Sequence, residues 1–110
     1  MNEIKVNQSK KGTVQPVKVG DTIIIELPEN PTTGFRWAIQ EANAQILELI
    51  GANDIEYRSN AGSGMGGGGT RTFRFKAKKP GVSNVKLIRK RAWESDQEAD
   101  DQFSFTINAH

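Results

Sequence analysis

Turn-forming residues punctuate this chain at short intervals, and that spacing constrains the fold more than any other feature. They fall at Gly12, Gly20-Asp21, Pro28 to Pro31, Gly51 to Asp54, Ser59 to Gly69, Pro80-Gly81 and Glu94 to Asp101. The stretches between them repeat with a period of two. Phe35, Trp37 and Ile39 alternate with Arg36, Ala38 and Gln40; Phe73, Phe75 and Ala77 with Thr72, Arg74 and Lys76; Phe103, Phe105 and Ile107 with Ser104, Thr106 and Asn108. Such a period puts the large apolar side chains on one face of a strand. Thr22 to Leu27 is rich in β-branched residues and bounded by turns, another strand signature. Val85 and Leu87 keep the same phase around Lys86, and Ile88 breaks it. Gln45 to Ile50 reads as a strand, although Ala42, Ala44, Ile46, Leu47 and Ile50 also suit a short helix. Asp54 to Arg58 reads as a further extended piece. Many short strands with no long helical period predict an all-β fold, an antiparallel sandwich or barrel.

Composition narrows the function. A chain of 110 residues can build one hydrophobic core and not two, so a single domain over 1–110 is expected. With 35% hydrophobic and 25% charged residues, the balance is that of a folded domain rather than a disordered segment. The formal charge is only +2, and no block of like charge resembles a nucleic-acid arm, so no nucleic-acid partner is expected. There is no cysteine, which excludes a disulfide framework and a thiolate metal site. The only histidine is His110, so nucleophile–base arrangements built on histidine have little to work with. Asp96, Glu98, Asp100 and Asp101 fall in one loop without the spacing of a calcium loop, the composition of a solvated surface. The expectation is therefore a non-enzyme without cofactor or metal. No apolar run is long enough to span a bilayer, and no membrane partner is expected. Met1 to Lys5 lacks the apolar core of a secretory signal, which fits a cytoplasmic protein or an exported one whose leader has been removed.

Three connections have unusual composition. If neighbouring strands alternate in direction, the connections Pro28–Gly34, Gly51–Gly69 and Lys90–Gln102 emerge at the same end. Clustered end loops are what a sandwich uses for recognition. In the first connection, Pro31 fixes its own φ and pushes Asn30 into extended backbone, while Gly34 permits a tight exit turn. Thr32 and Thr33 between them are small and restricted in χ1. The second contains Gly62 to Gly69, interrupted at Ser63 and Met65. It ends in no Gly-Lys-Ser/Thr and lies in no strand–helix unit, so it is neither a P-loop nor a dinucleotide fingerprint. A glycine run is commonly a flexible tip, but a backbone without side chains can also approach another chain closely. The third carries Arg91-Ala92-Trp93. Trp37 shares the phase of Phe35 and Ile39 and is expected in the core. Trp93 sits among Lys90, Arg91, Glu94 and Asp96 and has the composition of an exposed interface anchor.

Taken in order, these loops resemble the three signatures of the chagasin family of cysteine peptidase inhibitors: Asn-Pro-Thr-Thr-Gly-Phe/Tyr, Gly-Xaa-Gly-Gly and Arg-Pro-Trp. The first is met in full by Asn30, Pro31, Thr32, Thr33, Gly34 and Phe35. The second fits Gly64 to Gly67 or Gly66-Gly67-Gly68-Gly69, the later register being preferred because Gly68-Gly69-Thr70 leads into an aromatic strand. The third is met at Arg91 and Trp93, with Ala92 where the family usually has proline, a departure that bears on the rigidity of that loop. The similarity runs from about Val17 to Ile107. It implies an immunoglobulin-like antiparallel β-sandwich whose loops form a wedge, monomeric when free, that inhibits papain-like cysteine peptidases. By the same resemblance the first loop enters the active-site cleft, with Thr32 near the catalytic cysteine, and the other two clasp its rims. The alternative on fold alone is a non-catalytic adhesion or scaffolding domain, since sandwiches serve many roles. Such a domain has no reason to carry all three loops at one end.

Overall fold

The alternating segments pair into two packed sheets. The structure, a computed structural model, describes residues 2–29, 34–50, 56–59 (backbone alone) and 69–110. Its strands are β1 (Glu3–Val6), β2 (Val14–Val17), β3 (Thr22–Glu29), β4 (Phe35–Glu41), β5 (Leu47–Ile50), β6 (Glu56–Ser59), β7 (Gly69–Ala77), β8 (Gly81–Arg91) and β9 (Asp101–Ala109). One sheet runs β1-β3-β7-β5, with β6 on the same edge of β7 as β5, and the other runs β2-β9-β8-β4. The inward phase of each strand supplies the core. Ile23, Ile25 and Leu27 of β3 and Phe73, Phe75 and Ala77 of β7 face Trp37, Val85, Leu87, Phe103, Phe105 and Ile107 of the other sheet. Burying one such large apolar side chain stabilises the fold by about 1.5–3 kcal/mol relative to exposure, so the period-two pattern fixes which face turns inward. The architecture is the expected immunoglobulin-like sandwich.

Several boundaries differ from the expectation. The sheets are not wholly antiparallel: β1 pairs with β3 and β2 with β9 in parallel register. These two N-terminal strands were not expected. Each has four residues, and β2 contains Pro16 and an exposed Val14, so neither shows a long alternation. Pro28 belongs to β3 and not to a turn. Beyond Ile25 that strand is no longer flanked by β1, so a missing N–H is tolerated there. The strand expected from Gln45 begins at Leu47. Ala44 to Ile46 instead form a turn, in which the Asn43 carbonyl accepts from Ile46 N at 3.0 Å and Leu47 N at 2.9 Å. The extended piece expected at Asp54 to Arg58 is β6, with 51–55 outside the described residues. Ile88 breaks the alternation because it lies on the outer face of β8, in a groove with Gln40, Asp96, Ala99 and Gln102 that leaves it 3% exposed.

The strand directions define two poles. At one, Glu29 ends β3 opposite Gly69, Ser59 ends β6 opposite Gly69, and Phe35 begins β4 opposite Arg91. At the other, the Asn2 amide donates to Asp21 Oδ1 at 3.0 Å, and the His110 amide donates to the Val17 carbonyl at 3.0 Å. The three unusual connections all leave from the first pole, as strand alternation requires.

Candidate functional site

The first pole is built by residues that continue the inward phase of their strands beyond the apolar core. Phe35 pairs with Arg91 and Trp37 with Arg89 across β4 and β8, on the face that carries Leu87 deeper in. The result is a ladder of alternating rings and guanidiniums. The Arg89 guanidinium carbon lies 5.8 Å from the Trp37 ring and 6.0 Å from Phe35; that of Arg91 lies 4.3 Å from Phe35 and 5.9 Å from Trp93. Each cation over a ring face contributes about 0.5–1 kcal/mol when exposed and more when desolvated. Trp37 is 4% exposed and Trp93 is 77% exposed, so the two tryptophans occupy the opposite environments their contexts predict.

Trp93 stands on a tightly tied turn. The Glu94 amide donates to the Arg91 carbonyl at 3.0 Å, closing a β-turn with Ala92 and Trp93 at its centre. The Glu94 carboxylate accepts from the Arg91 amide at 2.8 Å, and Lys90 Nζ donates to the Glu94 carbonyl at 2.8 Å. Farther along, Asp96 pairs with Lys90 at 3.1 Å, and Asp100 takes a two-pronged hydrogen bond from Arg89, both contacts at 2.9 Å. The Lys90 and Gln40 hydrogen bonds hold the Asp96 carboxyl below its ordinary value, and the Arg89 guanidinium does the same for Asp100. Asp100 in return raises the Arg89 pKa. The acidic run lies on the exposed surface as its composition predicts, and two of its members, Asp96 and Asp100, also fasten the third loop.

Of the other candidate residues, Gly34 has φ +80°, a left-handed conformation that favours glycine. A β-carbon added there would lie 3.7 Å from Trp93 Cη2 and 3.8 Å from Arg91 Cγ, so the first loop's exit packs against the third loop's anchor. Gly69 is buried at the start of β7. The structure thus brings together Gly34, Phe35, Gly69, Arg91, Ala92 and Trp93. Asn30, Pro31, Thr32 and Thr33, with Gly66, Gly67 and Gly68, lie outside the described residues.

Glu29 and Arg71 were not singled out from the sequence. Glu29 ends β3 on the inward phase of Ile23, Ile25 and Leu27, and its side chain is 0% exposed. Its Oε2 accepts from Arg71 Nε at 3.0 Å and from Arg71 Nη2, while Oε1 accepts the Trp37 backbone N–H at 2.8 Å. The Trp37 indole N–H donates back to the Pro28 carbonyl at 2.8 Å. A signal was available: a glutamate and an arginine that continue the apolar phase at the same end of two strands.

A sandwich presenting a rigid aromatic anchor beside two glycine-bearing loop stems is a recognition module. The family model described as Chagasin family peptidase inhibitor I42 matches residues 16–107. This chain belongs to the chagasin family, whose members are peptidase inhibitors and not enzymes. Chagasin of Trypanosoma cruzi is 29% identical over 107 residues, covering 96% of this chain and 97% of that protein. The crystal structure of the cysteine protease inhibitor EhICP2 from Entamoeba histolytica superposes with a TM-score of 0.87 at 23% identity, covering 100% of this chain and 97% of that one. PbICP-C, in a complex with falcipain-2, superposes with a TM-score of 0.65 at 18% identity, covering 100% of both chains. At these identities the structural likenesses speak for the fold.

Proposed function

We propose that this protein is a reversible inhibitor of papain-like cysteine peptidases that blocks the active-site cleft with a wedge of three loops. Asn30 to Phe35 enters the cleft, with Thr32 next to the nucleophile. Gly66 to Gly69 and Arg91 to Trp93 hold the two rims. The observation that carries the reading is Trp93, 77% exposed yet fixed by its turn and by Arg91, at the same end as Gly34, Phe35 and Gly69. Exposed aromatics held rigid lose little conformational freedom on binding and act as interface anchors. Family membership supports the reading, and among similar structures one is described as a cysteine protease inhibitor and another is bound to falcipain-2.

The inhibition is occlusion. A small side chain near the nucleophile excludes substrate. Cleavage needs a peptide carbonyl held at attack distance with its oxygen in an oxyanion hole, and a wedge that fills the cleft without that alignment stays intact. The test is an inhibition assay against papain with trypsin as control, followed by recovery of the inhibitor after incubation with excess enzyme. The expected result is inhibition of papain alone by uncut protein. Thr32→Arg forces a long charged group into the cleft and should abolish most inhibition, whereas Thr32→Ala removes little area and should cost little. Inhibition of trypsin but not papain, or rapid cutting at Thr32-Thr33, would sink the proposal.

A further inference from the structure

We infer that Glu29 is a positioning residue that fixes the three loops relative to one another, with Arg71 and Trp37 as its partners. The inference rests on the wedge reading and adds a device to it. The Glu29 carboxylate is fully buried at the point where β3 gives way to the first loop, and it is shared between both sheets. One oxygen holds the Trp37 backbone N–H of β4, two residues after the chain returns from that loop. The other holds the Arg71 guanidinium, two residues after the second loop enters β7 at Gly69. Trp37 stacks under Arg89, and Phe35 under Arg91, where the third loop departs. A single carboxylate therefore joins the stems of the first and second loops directly, and reaches the third through the ring–guanidinium ladder.

The geometry is economical in another respect. The Trp37 N–H that Glu29 accepts points away from β8, on the edge that β4 forms among the described residues, where a strand donor left without a partner would invite another chain. The indole N–H bond to the Pro28 carbonyl closes the same junction from the other side. Pro28-Glu29 and Trp37 are thus locked reciprocally across the two sheets, by bonds that span eight and nine residues of sequence. Stems held in this way give the loops their spacing before any partner arrives, and binding that starts from a preformed geometry avoids the cost of ordering it.

Glu29→Gln keeps the volume and the acceptor for Trp37 N–H but sets an amide against the Arg71 guanidinium. Assayed against papain below its melting temperature, it should raise the inhibition constant about tenfold, within the range that couplings between linked sites span. The core control is Ile107→Val at the opposite pole, which should lose thermal stability without changing the inhibition constant. Glu29→Gln with Arg71→Gln makes a neutral amide pair and should recover part of the loss. A second readout needs no peptidase: amide hydrogen exchange of the free Glu29→Gln protein should accelerate at Phe35–Trp37, Arg71–Thr72 and Arg91–Glu94 together. Glu29→Gln inhibiting like wild type, or weakening no more than a control matched in stability, overturns the inference. So does accelerated exchange confined to the end of β3. A wild-type protein that fails to inhibit papain overturns the inhibitor reading instead, and the exchange pattern still judges the clamp.

Discussion

Removing the Trp93 side chain separates recognition from folding. Trp93 is 77% exposed, and its described contacts are the Arg91 guanidinium 5.9 Å from its ring and the flank of Gly34. A tryptophan buries roughly 150–250 Å² in a well-packed setting, so about 150 Å² remains for a partner to cover. At about 25 cal/mol per Å², that area sets a ceiling near 4 kcal/mol, and interface anchors lose about 2 kcal/mol or more on truncation. Trp93→Ala should therefore raise the inhibition constant for papain by roughly 30- to 1,000-fold. The free protein loses only the covered quarter of the ring and one cation–π contact, together about 1 kcal/mol, a shift in melting temperature of about 4–8 °C. The assay is a titration of papain activity at 25 °C, paired with thermal unfolding of each variant. An inhibition constant within threefold of wild type, in a protein that melts as expected, refutes the placement of Trp93 in the interface. A collapse of the melting temperature would instead show that the ring is part of the fold.

Three further outcomes are expected. Ala92 occupies the second position of the turn closed by Glu94 N–H and the Arg91 carbonyl, where proline is favoured, so Ala92→Pro should add roughly 0.4–1 kcal/mol of stability in thermal unfolding and leave inhibition equal or better. Gly34→Ala finds ordinary contact distances but must hold φ +80°, so it should cost about 1 kcal/mol in denaturant unfolding and weaken inhibition through the misplaced first loop. Asp21, Asp96 and Asp100 have folded pKa values below the ordinary 3.8; the stability they contribute is complete above that value and is lost as pH falls through the lowered ones. Melting temperature should accordingly hold steady from neutral pH to about 5 and fall below about 4, less steeply in Asp100→Asn.

Much of this architecture was legible because alternation is a local signal. Phe35-Trp37-Ile39 or Phe103-Phe105-Ile107 states its inward face without reference to any partner strand. Trp93 was legible by contrast, as an aromatic with no apolar phase to join. The parallel strands β1 and β2 were not, because four residues at a sheet edge with a proline and an exposed valine carry too little pattern. Ile88 looked like an error in phase until the segment after Trp93 supplied its cover. Glu29 was hidden for a different reason. Between Pro28 and Asn30-Pro31 a glutamate reads as a solvated turn residue, and its partner Arg71 is 42 residues away. A buried ion pair depends on register between distant strands, which composition does not encode.

The polarity of the sandwich bears on how the molecule can be handled. Asn2 and His110 meet the fold near Asp21 and Val17, at the pole away from Phe35, Gly69 and Arg91. A fusion partner, surface anchor or affinity tag joined at either end is expected to leave the pole of Gly34, Gly69 and Trp93 unobstructed. If the proposed wedge is the binding surface, two copies joined head to tail by a flexible linker would display two of them, and a peptidase presented at high density would meet them with the avidity that a second tethered binding event confers.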